Sequence, residues 1–146
     1  MSASKVLYHY TSLEHLVEII VSGRIKTGPS DLLTPKAYYL VNGRVICPET
    51  DDYKPVVWLT DSESPESMGL DGAHYSKKRI RISVPKKTCF KKWDKWADEN
   101  NMEPQWKKAF ARDLNWKSWY ITESAISLDD VSEIRDLDSN ATLRWR

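Results

Sequence analysis

At 146 residues, with 40 % apolar and 29 % charged residues and a formal net charge of +1, the chain has the make-up of a single domain, 1–146, large enough to bury a core without staples. That balance excludes a global field that would recruit nucleic acid or membrane, so any such contact has to rest on a local patch. The two cysteines, Cys47 and Cys89, lie in unrelated segments and form neither a metal-ligand spacing nor a disulfide framework, so a reduced, cytoplasmic setting is expected.

The N-terminus carries no apolar leader, and no run nears the ~18 apolar residues of a membrane span. Export and membrane contact are not expected, and a monomer is the expected state. In chain order, Val6, Tyr8 and Tyr10 alternate with Leu7, His9 and Thr11, the two-residue period of a strand. Thr11 followed by Glu14 reads as a capping box opening a helix. Leu13, Leu16, Val17, Ile20 and Val21 would form its apolar face, and Gly23 would end it, with Ile25 as the apolar residue beyond. Thr27 to Lys36 reads as a loop. Ala37–Val41 and Arg44–Cys47 flank Asn42-Gly43, the dipeptide of a two-residue hairpin. Pro48 to Pro55 is a solvated connection.

Val56–Thr60 is a compact apolar run and reads as a buried strand. Ser64-Pro65-Glu66 offers an N-cap, a proline at the first helical position and an acidic residue, predicting one or two helical turns that end near Gly69. Arg79–Val84 alternates cleanly, with Ile and Val to the core and arginines outward. Lys91 to Leu114 reads as helical, broken at Asn100-Asn101 and restarted after Pro104. Trp93, Trp96 and Ala97 share one face, and Trp106, Ala109 and Phe110 another. Ser118–Thr122 is a further strand. Val131–Leu137 and Ala141–Trp145 supply two more around an Asp138-Ser139-Asn140 turn.

Tyr8-His9-Tyr10-Thr11-Ser12, followed by a helix ending in Ser22-Gly23-Arg24-Ile25, resembles the opening of the ADP-ribosyltransferase superfamily. The branch it is similar to carries a histidine on its first core strand and includes poly-ADP-ribose polymerases, diphtheria-type toxins and bacterial DNA-modifying toxins. The resemblance implies an α+β fold, with two small antiparallel sheets around an NAD cleft and helices flanking them. It also implies NAD as cofactor. His9 would bond the adenosine ribose, while backbone and hydroxyl groups at Tyr10 and Thr11 would hold the nicotinamide amide, whose donor and acceptor edges suit fixed polar groups.

Val57-Trp58-Leu59-Thr60 matches the second motif of that branch. It makes Trp58 the residue on the nicotinamide ring and Thr60 a further cofactor contact. The branch has tyrosine where this chain has Trp58, and an indole can stack but cannot copy a phenol's hydrogen bond. Tyr38, Tyr39 and Tyr75 are other candidates for that ring. Late in the chain the resemblance implies a glutamate bonded to the nicotinamide ribose 2′-hydroxyl, stabilising the positive charge that builds as nicotinamide leaves. Glu123 ends its strand and takes that role, with Glu133 on the next strand as the alternative.

Other chemistries find no support. Five glycines write neither a Walker nor a Rossmann fingerprint, no nucleophile elbow is present, and Asp129-Asp130 has no companions for a metal site. Five of the seven tryptophans fall between Trp93 and Trp119, and Lys91-Lys92-Trp93-Asp94-Lys95-Trp96 and Trp106-Lys107-Lys108 interleave cations with indoles. That mix suits nucleic acid if the indoles are exposed; at helical spacing they would pack inward instead. The expected function is ADP-ribose transfer from NAD to a macromolecular acceptor, protein or nucleic acid, by a bacterial or phage toxin or effector. The alternatives are a catalytically inactive binding module of the same fold and an RNA 2′-phosphotransferase, for which Arg79/Arg81 and Lys77/Lys78 are the basic candidates.

Overall fold

A computed structural model describes residues 5–28, 39–41, 44–46, 54–66, 77–102, 104, 107–108 and 116–145, with 39–41, 44–46 and 116 as backbone only. In chain order the elements are β1 (Val6–Thr11), α1 (Leu13–Ser22), β2 (Arg24–Ile25), β3 (Tyr39–Val41), β4 (Arg44–Ile46), β5 (Val57–Thr60) and β6 (Ile80–Pro85). They continue with β7 (Lys91–Lys92), α2 (Trp93–Glu99), β8 (Trp119–Thr122), β9 (Ile126–Ser127), β10 (Glu133–Asp136) and β11 (Ala141–Leu143).

The fold is α+β. Its strands gather into one seven-stranded sheet, ordered β11-β10-β6-β1-β5-β8-β7, with β2–β9 and β3–β4 as separate pairs. Where two small antiparallel sheets were expected, the described strands gather mainly into this one, because β1 pairs on both sides: with β6 along its whole length and with β5 through Tyr8↔Thr60. Every pairing in the large sheet is antiparallel.

Alternation decides which side chains reach which face. Leu7, Leu59, Ile80, Ile82, Val84, Tyr120 and Ile134 point to one face and join Leu16 and Ile19 of α1 in the main core. Val56, Ile121 and Trp119 point to the other and pack with Trp93, Trp96 and Ala97 of α2, Trp58 lying against them. Tyr8, Tyr10, Arg81, Ser83, Glu133 and Arg135 lie on that second face too, by the registers Tyr8↔Ser83↔Glu133 and Tyr10↔Arg81↔Arg135.

Two features of α1 differ from the expectation. Its N-cap is Ser12, whose hydroxyl accepts from the His15 N–H at 3.2 Å, because the β1–β6 ladder runs on through Thr11↔Ile80 and keeps Thr11 extended. The inward face is Leu16 and Ile19, while Leu13, Val17, Ile20 and Val21 are exposed, Val21 at 82 %. Gly23 does end the helix, in the left-handed region at φ 78°, its N–H bonded to the Ile19 carbonyl at 2.8 Å. Ile25 is buried and belongs to β2.

The 39–46 hairpin forms as a two-residue connection, with Val41 opposite Arg44. The Ser64 hydroxyl accepts from the Glu66 N–H at 3.2 Å, but the helical turns expected beyond it, and Tyr75, lie outside the described residues. The Trp93/Trp96/Ala97 face is buried as expected, and Asn101, at φ 60°, follows the end of α2. Trp106 and Phe110 of the restarted helix lie outside the described residues. No helix among the described residues is long and apolar enough to cross a membrane.

Candidate functional site

β1 is the middle strand of the large sheet, and its odd and even residues serve opposite faces. His9 points to the α1 face and is partly buried. Its Nδ1 lies 2.8 Å from the Trp58 carbonyl. A carbonyl only accepts, so Nδ1 carries the proton and Nε2 is the unprotonated acceptor. Nε2 has no partner among the described residues. β1 and β5 share one register pair, Tyr8↔Thr60; beyond it the imidazole takes up the Trp58 carbonyl. Burial holds the His9 pKa below its ordinary 6.5; the Trp58 carbonyl pulls it back up, and Lys77 and His15 press it lower.

Thr11 is buried on the same face as His9, and Ser12 is buried just beyond it. The Ser12 hydroxyl lies 3.1 Å from the His15 Nδ1. His9, Thr11, Ser12 and His15 thus gather where β1 gives way to α1.

Tyr10, Trp58 and Thr60 serve the other face. The Tyr10 hydroxyl donates to the Ser62 carbonyl at 2.7 Å, and burial raises the phenol's pKa well above the ordinary value. The Thr60 hydroxyl is fully buried and accepts from the Ser62 N–H at 3.2 Å. The Trp58 indole meets Trp119 edge to face, centroids 5.7 Å apart and planes at 89°. Its ring is therefore not brought to the imidazole; only its carbonyl is. Of the other ring candidates, Tyr38 lies outside the described residues, as Tyr75 does, and Tyr39 is described as backbone alone.

The two glutamates flank β1, each two strands away, or about 10 Å across the sheet. Glu123 follows Thr122, which pairs with Val57, and its Oε2 accepts from the Trp96 indole N–H at 3.1 Å. Glu133 stands level with Tyr8 through Ser83. Arg135 bonds both its oxygens, at 3.3 and 3.2 Å, and the Arg81 guanidinium lies 3.8 Å away. One carboxylate is held by a neutral donor, the other is neutralised by two cations.

Arg81 entered the sequence reading as a basic candidate paired with Arg79; its contacts with Tyr8, Glu63 and Glu133 are new from the structure. The Arg81 guanidinium sits 5.1 Å from the Tyr8 ring centroid, donates to the Glu63 carbonyl at 2.8 Å and buries an Nε that has no partner among the described residues. Burial first, and Glu63 next, raise the Tyr8 pKa. The strict alternation of Arg79-Ile80-Arg81-Ile82 was the available signal, but it reads equally well as arginines facing solvent.

A hollow of about 340 Å³ lined by Pro85, Lys87, Asp129, Asp130, Val131 and Ser132 lies at the opposite end of β6 from Ile80 and Thr11. For NAD, the C-terminal end of β1 offers one imidazole acceptor, the Thr11 hydroxyl and the first N–H groups of α1, polar groups of the kind a ribose and an amide take, while the Ser12 hydroxyl is engaged by His15. Comparison with family models, with curated proteins and with solved structures returned no match.

Proposed function

We propose that the chain is an NAD-dependent ADP-ribosyltransferase, of ADP-ribosyltransferase-like fold, that modifies a macromolecular acceptor, and that it serves as a toxin or effector. The observation that carries the reading is His9. Its Nδ1–H is committed to the Trp58 carbonyl, its pKa is lowered, and its Nε2 is left as a neutral acceptor on the central strand. That is the state an imidazole needs to accept from a ribose hydroxyl at neutral pH. Thr11 and the N–H groups that open α1 supply the donors and acceptors an amide requires. NAD, when bound, supplies a nicotinamide–ribose bond whose breaking builds positive charge on the sugar.

Glu123 is the carboxylate assigned to that charge. A single neutral indole N–H holds one of its oxygens and no cation pairs with it among the described residues, whereas Arg135 and Arg81 pair with Glu133. Nicotinamide release by the purified chain is the test, with thermal melting in parallel. Glu123→Gln should lower turnover roughly 100-fold, the scale of a lost electrostatic contact, with NAD affinity little changed. Glu133→Gln should keep most activity. The reverse pattern would move the role to Glu133.

A binding module that keeps the fold without catalysis is the second reading. The observation in its favour is that the His9 imidazole and the Trp58 indole serve opposite faces, with Glu123 two strands from β1. A folded parent that titrates NAD but releases no nicotinamide with any acceptor would establish it over transfer.

A further inference from the structure

We propose that the lysine-bearing segment crossing from β6 to β7 binds the phosphate backbone of nucleic acid, in duplex form and without regard to sequence. Lys86, Lys87, Thr88, Cys89, Lys91 and Lys92 are all exposed around one buried anchor, Phe90, whose N–H closes a turn on the Lys87 carbonyl at 3.1 Å. Two of these ammonium groups converge on one ring: Lys86 Nζ stands 4.9 Å and Lys92 Nζ 5.9 Å from the Tyr120 centroid. Lys5 joins them, its carbonyl accepting from the Lys86 N–H at 2.9 Å.

Within this group Lys87 pairs with Asp130 at 2.8 Å and Lys91 with Glu99 at 3.2 Å. Lys5, Lys86 and Lys92 have no carboxylate within ion-pair distance among the described residues. Two like charges thus meet on one ring without counter-charge among the described residues, with exposed Lys5 the backbone partner of Lys86, in a chain whose net charge is only +1. The Tyr120 ring fixes both through its negative face.

Phosphate fits this surface better than a protein does. Protein interfaces bury an apolar or aromatic centre, and the exposed large hydrophobic side chains among the described residues are all on α1: Leu13, Val17, Ile20 and Val21. The patch offers charge alone, which is what non-specific backbone binding uses. The adjoining indoles do not add stacking, since Trp93 is 1 % and Trp96 0 % exposed. Single strands gain most from exposed rings, so the denser charge of a duplex is the favoured ligand. The patch lies at the β1 end that carries Lys5, away from Thr11 and Ser12, and its binding needs no NAD.

The experiment is fluorescence anisotropy of a labelled 20-base-pair DNA duplex titrated with the full chain, without NAD, at several salt concentrations. The expected results are saturable binding in low salt and a log–log salt slope of about −3 for three lysine contacts. The single strand of the same length should bind more weakly. Lys86→Gln with Lys92→Gln keeps the aliphatic stems over Tyr120. It should weaken binding at least tenfold and flatten the slope by about two, while Lys86→Arg with Lys92→Arg retains affinity and Lys26→Gln changes nothing. Melting curves establish that each variant is folded. The proposal is overturned if the parent does not bind duplex, if the double Gln variant binds as the parent does, or if the single strand binds more tightly. Equal competition by polyglutamate at matched charge would overturn it in favour of an acidic protein partner.

Discussion

Replacing His9 separates what the imidazole does for the fold from what it does for a ligand. Its Nδ1–H is bonded to the Trp58 carbonyl at 2.8 Å, at the point where β1 and β5 have left their single register pair. His9→Phe keeps a ring of similar bulk and leaves that carbonyl without its donor, a cost of about 1–2 kcal/mol. For a chain of this length that is a fall in Tm of about 3–8 °C. His9→Ala adds lost packing and should fall further. The pH dependence supplies an independent check. Burial lowers the His9 pKa in the fold, so the folded chain resists protonation while the unfolded chain accepts a proton below its ordinary 6.5. The stability His9 contributes is therefore complete above 6.5 and is lost as pH falls from there through the lowered native value. His9→Phe lacks that loss, so the gap in Tm between parent and variant, measured calorimetrically, should narrow as the solution is taken from pH 7.5 to pH 5. A gap that widens on acidification would mean the imidazole is charged in the fold. No gap at any pH would mean that the Trp58 bond carries no stability, and with it would go the reason for assigning Nε2 as the neutral acceptor.

Ser12→Ala removes the hydroxyl that accepts from the His15 N–H and should cost about 1 kcal/mol by urea titration, whereas Thr11→Ser should leave the α1 cap intact. Trp96→Ala empties a site that is 0 % exposed, a loss of about 3–5 kcal/mol that chemical denaturation will show directly. Asp136 is held below the ordinary carboxylate pKa, first by the Arg79 guanidinium bonded to it. Its contribution is present above the unfolded carboxylate value and is lost as pH falls through the lowered native one, so Asp136→Asn should flatten the acid limb of the stability curve.

The legible parts of the chain were those in which one face alone could be apolar. β6 carries Ile80, Ile82 and Val84 against Arg79 and Arg81, and no other register buries the first three together. The Asn42-Gly43 hairpin was legible for a local reason, since its connection is two residues long. α1 was not decidable locally. Leu13, Val17, Ile20 and Val21 stand at helical spacing as good as that of Leu16 and Ile19, and only the main core shows which arc turns inward. The cap slipped by one residue because Thr11 and Ser12 are both competent, and the β6 partner of Thr11 made the choice. The place of Glu123 at a strand end was legible, but its bond to Trp96 joins segments 27 residues apart, a relation that no local pattern carries. The same holds for the His9–Trp58 contact.

The alternation of β1 restricts where a cofactor could sit. His9 and Thr11 serve the α1 face, while Tyr8 and Tyr10 serve the face that carries Arg81 and Glu133. A seven-stranded sheet cannot be crossed by a ligand through its hydrogen-bonded ladder. A molecule that touches both the imidazole and a carboxylate of the second face must therefore pass around the end of the sheet. Glu123 is at the right end: it follows Thr122, opposite Val57, where β5 begins and where the antiparallel β1 is finishing at Thr11. Glu133 pairs with Ser83, level with Tyr8 in the middle of β1, and no end of the sheet brings it nearer to His9. Position and charge thus favour the same residue. Glu123, with no cation paired to it among the described residues, stands at the rim that a ligand bound at Thr11 and Ser12 would have to cross.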